Sequence, residues 1–136
     1  MNYKTYYITG TSGFSDEVAF ALKRTNNNEI NVILIESNLN LIDTISNSGI
    51  KILSEEILKD IKSPNVLITV SDPLIRKKIV EKYAKFNTGI VYPNFLDSSL
   101  IFDVKSLKMG VGNIILHNTI ITSNVILGNF NILNSY

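Results

Sequence analysis

The residues best suited to holding a ligand lie just after the aliphatic runs. "GTSG" follows "YKTYYIT", so Gly10 and Gly13 would permit a tight turn while the Thr11 and Ser12 hydroxyls donate beside it. Backbone N–H groups at a helix start could then approach an anion. Glu36 and Ser37 follow "VILI", and Ser71 and Asp72 follow "NVLITV". The spacing is G-x-x-G, not the G-x-G-x-x-G fingerprint of dinucleotide sites. Asp16 and Glu17 stand where they would stabilise the free helix but oppose a pyrophosphate. His117 is the single imidazole and reads as a surface or corner residue, so no catalytic residue is assigned within the chain. The "RKK" run at 76 to 78 reads as a solvated helix face, with contact to phosphate as the lesser alternative. With no Cys there is no disulfide, thiolate nucleophile or zinc–thiolate site, and no metal ligand set is apparent.

These positions need a scaffold, and the chain spells one. "YKTYYIT" is strand-like, and "SDEVAFALKRT" has helical spacing at Val18, Ala21 and Leu22. "EINVILIES" and "NVLITV" are apolar enough for strands buried on both faces. "LNLIDTISNSG" reads as a short helix closed by Gly49, "IKIL" as a brief strand, and Ser54 as the cap of "EEILKDI". Asp72 and Pro73 open a helix as N-cap and N1, and "GIVYP" reads as a last strand. Strict alternation over residues 1–93 predicts a parallel sheet with helices on both faces. Ligands in such sheets gather at the carboxyl ends of the strands, here the loops after Thr9, Glu36 and Val70.

Beyond Phe102 the helical spacing stops. Residues 94–108 read as a linker, and from Met109 the chain repeats in sixes: MGVGNI, ILHNTI, ITSNVI, LGNFNI, LNSY. The first position is Met109, Ile115, Ile121, Leu127 and Leu133. The sixth is Ile114, Ile120, Ile126 and Ile132, and small or medium residues fill the fifth. A period of six is a multiple of the strand period of two and fits no helix. It predicts a hexapeptide β-helix, each repeat one face of a prism, with Asn at left-handed corners. Residues 109–136 would make about one and a half coils, too few to bury their own inward faces. Either this region packs on the first domain or the biological protein continues, and continuation is the favoured expectation.

The 136 residues carry 13 basic and 12 acidic groups, a net charge of +1, which gives no overall pull toward nucleic acid or membrane. The start does not look like a signal peptide, and no apolar run has the length of a membrane span. A cytoplasmic protein is expected.

Together the two parts resemble the hexapeptide-repeat bacterial sugar acetyltransferases, the sugar-nucleotide N-acetyltransferases and sialic-acid O-acetyltransferase relatives. The likeness rests on the order of "YYITGTSGFSDEV", "VILIES", "VLITVSDPLIRKKIVEK", "GIVYP" and "VILGNFNILNSY". It implies an α/β chain: a Rossmann-like parallel sheet at 1–93 that binds a nucleotide-sugar of the uridine diphosphate type, then the start of a left-handed parallel β-helix. The substrate contacts it implies are Gly10, Thr11, Ser12, Gly13, Phe14, Glu36, Ser37, Ser71 and Asp72. Acetyl-CoA would be the co-substrate of the parent enzyme of surface-glycan biosynthesis, bound between subunits of a homotrimer and not by this chain alone. The family's general base, a His of the β-helix, would fall about five residues beyond Tyr136, so this chain is expected to be an inactive monomer or weak oligomer. The sequence departs from the family at Phe14 and Ser15, where "GHG" is usual. It departs again at Ser37, at Ser71 and Asp72, and at Tyr92 in place of a His.

Two other readings remain open at this stage. One is a non-catalytic nucleotide-sugar-binding or assembly module. The other is a nicotinamide-dependent short-chain enzyme fragment with Glu36 as ribose ligand. Against the latter, Tyr83 and Lys85 do not make the Tyr-x-x-x-Lys pair, and the six-residue beat stands where that fold needs helices.

Overall fold

A computed structural model describes residues 2–134. Four parallel strands, β1 (Lys4–Thr9), β2 (Ile30–Glu36), β3 (Ile52–Ser54) and β4 (Asn65–Ile68), lie in the order β3-β2-β1-β4. Neighbouring residues on each strand point to opposite faces, and both faces are covered. Ile8, Leu34 and Leu67 meet Val18, Ala19 and Leu22 of α1 (Gly13–Thr25). Tyr7, Ile35, Val66 and Ile68 meet Leu58 of a 3-10 turn (Glu55–Asp60) and Tyr83 of α2 (Pro73–Phe86). Two-sided burial is why β2 and β4 read as unbroken aliphatic runs. Ser12 caps α1 and accepts from Ser15 N, Ser54 opens the 3-10 turn, and Asp72 caps α2 with Pro73 behind it.

Two expectations for this part change. Residues 39–49 form turns and not a helix. Asp43 and Gly49 take left-handed φ values of 63° and 79°, and Ser46 N donates to Ile50 O, folding Ile45 back onto Lys51 in an antiparallel bridge. That arrangement buries Ile50 and Ile52 while leaving Leu39 and Ile45 in water. "GIVYP" contributes a single bridge, Val91 to Asn65, in place of a full strand.

The region expected to be a linker is the opening of the repeat structure. β5 (Phe95–Leu96), β6 (Ile101–Phe102), β7 (Lys108–Met109), β8 (Ile114–Ile115), β9 (Ile120–Ile121), β10 (Ile126–Leu127) and β11 (Ile132–Leu133) follow in turn. They stack as three short parallel sheets, β5-β8-β11, β6-β9 and β7-β10, one for each side of a prism. The stretch from Ile101 to Lys108 is one residue longer than its counterpart from Ile120 to Ile126. Asp103 absorbs the extra residue in a turn, accepting from Lys105 N and Ser106 Oγ. The insertion breaks the beat and hides the first coil. Ser135 and Tyr136, the end of the expected 109–136 repeat, lie outside the described residues.

First-position residues turn inward: Ile115 and Ile121 are buried, and Met109, Leu127 and Leu133 partly so. Fourth positions turn the corners with φ near +60° to +70°, at Gly112, Asn118, Asn124 and Phe130. The expectation for Asn thus holds at two corners. Phe130 is the exception, a bulky residue in a conformation that L side chains disfavour. Asn94, Asn113 and Asn131 stack as a ladder in fifth positions. Asn113 Nδ2 donates to Asn94 Oδ1 at 2.9 Å, and Asn131 Nδ2 donates to Asn113 Oδ1 at 2.9 Å.

The sixth positions divide by side. Phe95 and Ile114 face outward into the α1 core, while Ile120 and Ile126 are exposed. Arg24 of α1 ties to buried Asp97 at 2.5 Å, and the Tyr92 and Phe130 rings meet edge to face at 5.0 Å. Sheet and coils therefore share one apolar core.

Candidate functional site

The loops after β1, β2 and β4 converge at one edge of the sheet. Gly10 N donates to Ile35 O at 3.1 Å, and Gly10 has φ +114°, a value open to glycine but strained for other residues. A Cβ there would lie 2.9 Å from Ser15 Oγ and 3.3 Å from Thr69 Oγ1. Those two buried hydroxyls are 2.7 Å apart, and Thr69 Oγ1 donates to Thr9 O at 2.8 Å. The turn is thus pinned to β1 and β4 from below. Gly13 has no such need: it opens α1 with nothing near its Cβ position. The expectation that both glycines shape the turn holds for Gly10 alone.

Thr11 and Glu36 meet across the loops, Thr11 Oγ1 donating to Glu36 Oε2 at 3.1 Å. Glu36 Oε1 accepts from Ser37 N and Asn38 N, so the carboxylate also holds its own loop. Ser12 is occupied as helix cap. Asp16 lies in the first turn of the same helix, and its Oδ1 is buried with no hydrogen-bond partner among the described residues.

A cavity of about 290 Å³ opens at these strand ends. Its apolar walls are Ile35, Val70, Ile75 and Ile79, and its polar side chains include Glu36, Ser37, Glu55 and Lys82. Glu55 is buried and fully engaged: Lys82 Nζ donates to Oε1 at 2.6 Å, and Tyr83 OH to Oε2 at 3.0 Å. Thr9 Oγ1 lies 3.0 Å from the same phenol, completing a buried chain from α2 to the end of β1. Burial pushes the Tyr83 phenol far above its ordinary value, and Glu55 adds to that. Tyr83 therefore stays a neutral donor.

Ser71, Asp72 and Phe14 lie away from this cavity. Asp72 Oδ1 accepts from Leu74 N at 2.8 Å as the cap of α2. The Ser71 carbonyl accepts from Arg76 Nη1, and Phe14 and Ser71 line a second cavity of about 350 Å³ with Arg76, Ile132 and Asn134. Arg76 is not a solvated residue of the "RKK" run. Its Nη1 also donates to Val70 O and its Nε to Phe130 O, joining the loop after β4 to the second coil. Burial lowers its pKa, while nearby Asp72 acts in the other direction.

No family model and no curated protein sequence matches the chain. Solved structures do. The acetyltransferase domain of PglB from Neisseria gonorrhoeae FA1090, in complex with acetyl coenzyme A, superposes with a TM-score of 0.79 at 16% identity, over 98% of this chain and 62% of that one. PerB from Caulobacter crescentus, in complex with CoA and GDP-perosamine, gives 0.78 at 17% identity, over 98% and 61%. A histidine-to-asparagine variant of the Caulobacter crescentus perosamine N-acetyltransferase, with the same two ligands, gives 0.77 at 15% identity. This chain has the fold of the sugar N-acetyltransferases. It spans about three-fifths of the length of those chains, 61% to 62%.

The Gly10 turn and the Glu36 loop were legible as loops at strand ends, whereas the contacts made by Ser15, Thr69, Glu55, Lys82 and Arg76 were not. Ser15 is buried and bonds Thr69. Its only signal was a small polar residue at a helix start. Lys82 and Glu55 carried no signal, because their pairing crosses 27 residues. His117 is partly exposed beside the corner residue Asn118.

Proposed function

We propose that this chain is the nucleotide-sugar-recognising part of an acetyl-CoA-dependent sugar N- or O-acetyltransferase of surface-glycan biosynthesis. The carrying observation is the cavity of about 290 Å³ at the carboxyl ends of three parallel strands, in a fold shared with acetyltransferases solved with CoA and GDP-perosamine. The parallel strand order β3-β2-β1-β4 supports a Rossmann-like reading, since it matches the 3-2-1-4 run of such a sheet and the direction of strand addition reverses between β1 and β4. In that reading residues 1–93 form the nucleotide-sugar domain. The diphosphate lies against the Gly10 to Phe14 turn, and the nucleoside enters the cavity between Glu36, Ser37 and Val70. Ser71 and Asp72 act by shaping the loop through Arg76 and the α2 cap.

Acetyl-CoA would be the acyl donor of the whole enzyme, and none of the described residues is assigned to it. Asp16 opposes a strongly held pyrophosphate, so more of the affinity comes from the cavity than from the helix start.

Calorimetric titration tests the reading. Nucleoside diphosphate sugars should bind, and NAD and NADP should not. Tight dinucleotide binding without nucleotide-sugar binding would reverse it in favour of the nicotinamide alternative.

A further inference from the structure

Among the described residues, Lys82 is the only cation lining the cavity at the strand ends. Its ammonium has three N–H donors. One goes to Glu55 Oε1, and no other hydrogen bond is made by Lys82 among the described residues. The Lys82 side chain remains 41% exposed, against 9% for Glu55. Glu55, with one oxygen on Lys82 and the other on the Tyr83 hydroxyl, holds the ammonium in place. Val70, Ile75 and Ile79 line the same cavity and are aliphatic, surfaces that suit the faces of a planar ring. The cavity thus offers apolar surface beside a fixed donor.

We propose that Lys82 reads the nucleobase and selects one with a ring carbonyl on the edge it meets, namely uracil, thymine or guanine, over adenine. This rests on the nucleotide-sugar reading above. With the diphosphate on the Gly10 turn, the nucleoside is the part that reaches the cavity. A carbonyl oxygen accepts from the ammonium. The adenine amino group sets donor against donor, leaving polar groups unpaired in a partly dehydrated cavity. Specificity therefore comes from rejection of the wrong base as much as from attraction of the right one.

The test is calorimetry of the chain with UDP, GDP and ADP, which share one diphosphate. UDP or GDP should bind tighter than ADP by roughly tenfold or more. Removing Lys82 alone would strand a buried carboxylate, so the decisive variant is Lys82→Met with Glu55→Gln. It should bind all three alike, at the affinity of wild type for ADP. Lys82→Arg, which keeps a donor, should retain the preference. A wild type that binds the three equally, or a double variant that still discriminates, overturns the assignment of Lys82 while leaving nucleotide binding intact. Failure of all three to bind wild type overturns the nucleotide-sugar reading and this inference together.

Discussion

Ser15 Oγ and Thr69 Oγ1 stand 2.7 Å apart directly beneath Gly10, and both side chains are buried. The contact joins the start of α1 to the end of β4 under the candidate loop. It leaves no space for a methyl group at Gly10, whose backbone is already in a glycine region. Gly10→Ala should therefore cost about 1–3 kcal/mol in chemical denaturation. Ser15→Ala in the same background should recover only the steric part, because the φ of +114° remains. Full recovery would show that backbone strain contributes nothing.

Asn113 is the hub of the fifth-position ladder. It donates to Asn94 Oδ1 and Gly128 O, and its own Oδ1 accepts from Asn131 N and Nδ2. Asn113→Ala leaves several of these groups dehydrated and unpaired, for a loss of at least about 2 kcal/mol. Asn113→Asp keeps the shape but cannot donate when ionised, so it should be no better. Midpoints in urea, compared with those of the less buried Asn131→Ala, check the order.

Asp97 predicts a pH dependence. Burial pushes its carboxyl up, but the Ser99 N–H and hydroxyl together with Arg24 outweigh burial and hold it below its ordinary 3.8. The folded value lies below the unfolded one. The stabilisation is therefore complete above the unfolded value and is lost as pH falls through the folded one. Asp97→Asn should be less stable at neutral pH, with a shallower loss of stability below about pH 5. The two curves should converge further into acid. Parallel curves throughout would remove Asp97 as an acid-sensitive tie between α1 and the first coil.

Phe130 and Gly112 should be coupled. A Cβ on Gly112 would fall 2.4 Å from the Phe130 ring, and Gly112 itself has φ +72°. Gly112→Ala is expected to be strongly destabilising in wild type. In a Phe130→Asn background only the left-handed backbone term, about 1–2 kcal/mol, should remain. A double-mutant cycle without coupling would separate the two corners.

Much of this architecture was legible in the chain, and the failures have physical causes. The strands and both long helices were readable because burial on two faces writes aliphatic runs, and Ser12, Ser54 and Asp72 mark helix starts with side chains that satisfy open N–H groups. The coils from Met109 were readable because Ile115 and Ile121 must point inward at a fixed phase. The first coil was not, because one extra residue between Ile101 and Lys108 shifts that phase. Residues 39–49 misled because Leu41, Ile42 and Ile45 sit at spacings a helix could use, while the chain instead turns back through left-handed Asp43 and Gly49. At the candidate site, the Gly10 turn and Glu36 follow from local order. The Lys82–Glu55 and Arg76–Phe130 ties join residues far apart in the chain, and local periodicity carries no trace of them.

The most direct measurement is the amide proton–nitrogen spectrum of the chain during titration with a nucleoside diphosphate sugar. The account predicts shifts concentrated at Gly10, Thr11, Ser12, Gly13 and Phe14 and at Ser37, with small changes across the coils beyond Leu116. Shifts confined to the coils, or binding seen by calorimetry without movement at the Gly10 turn, would contradict it.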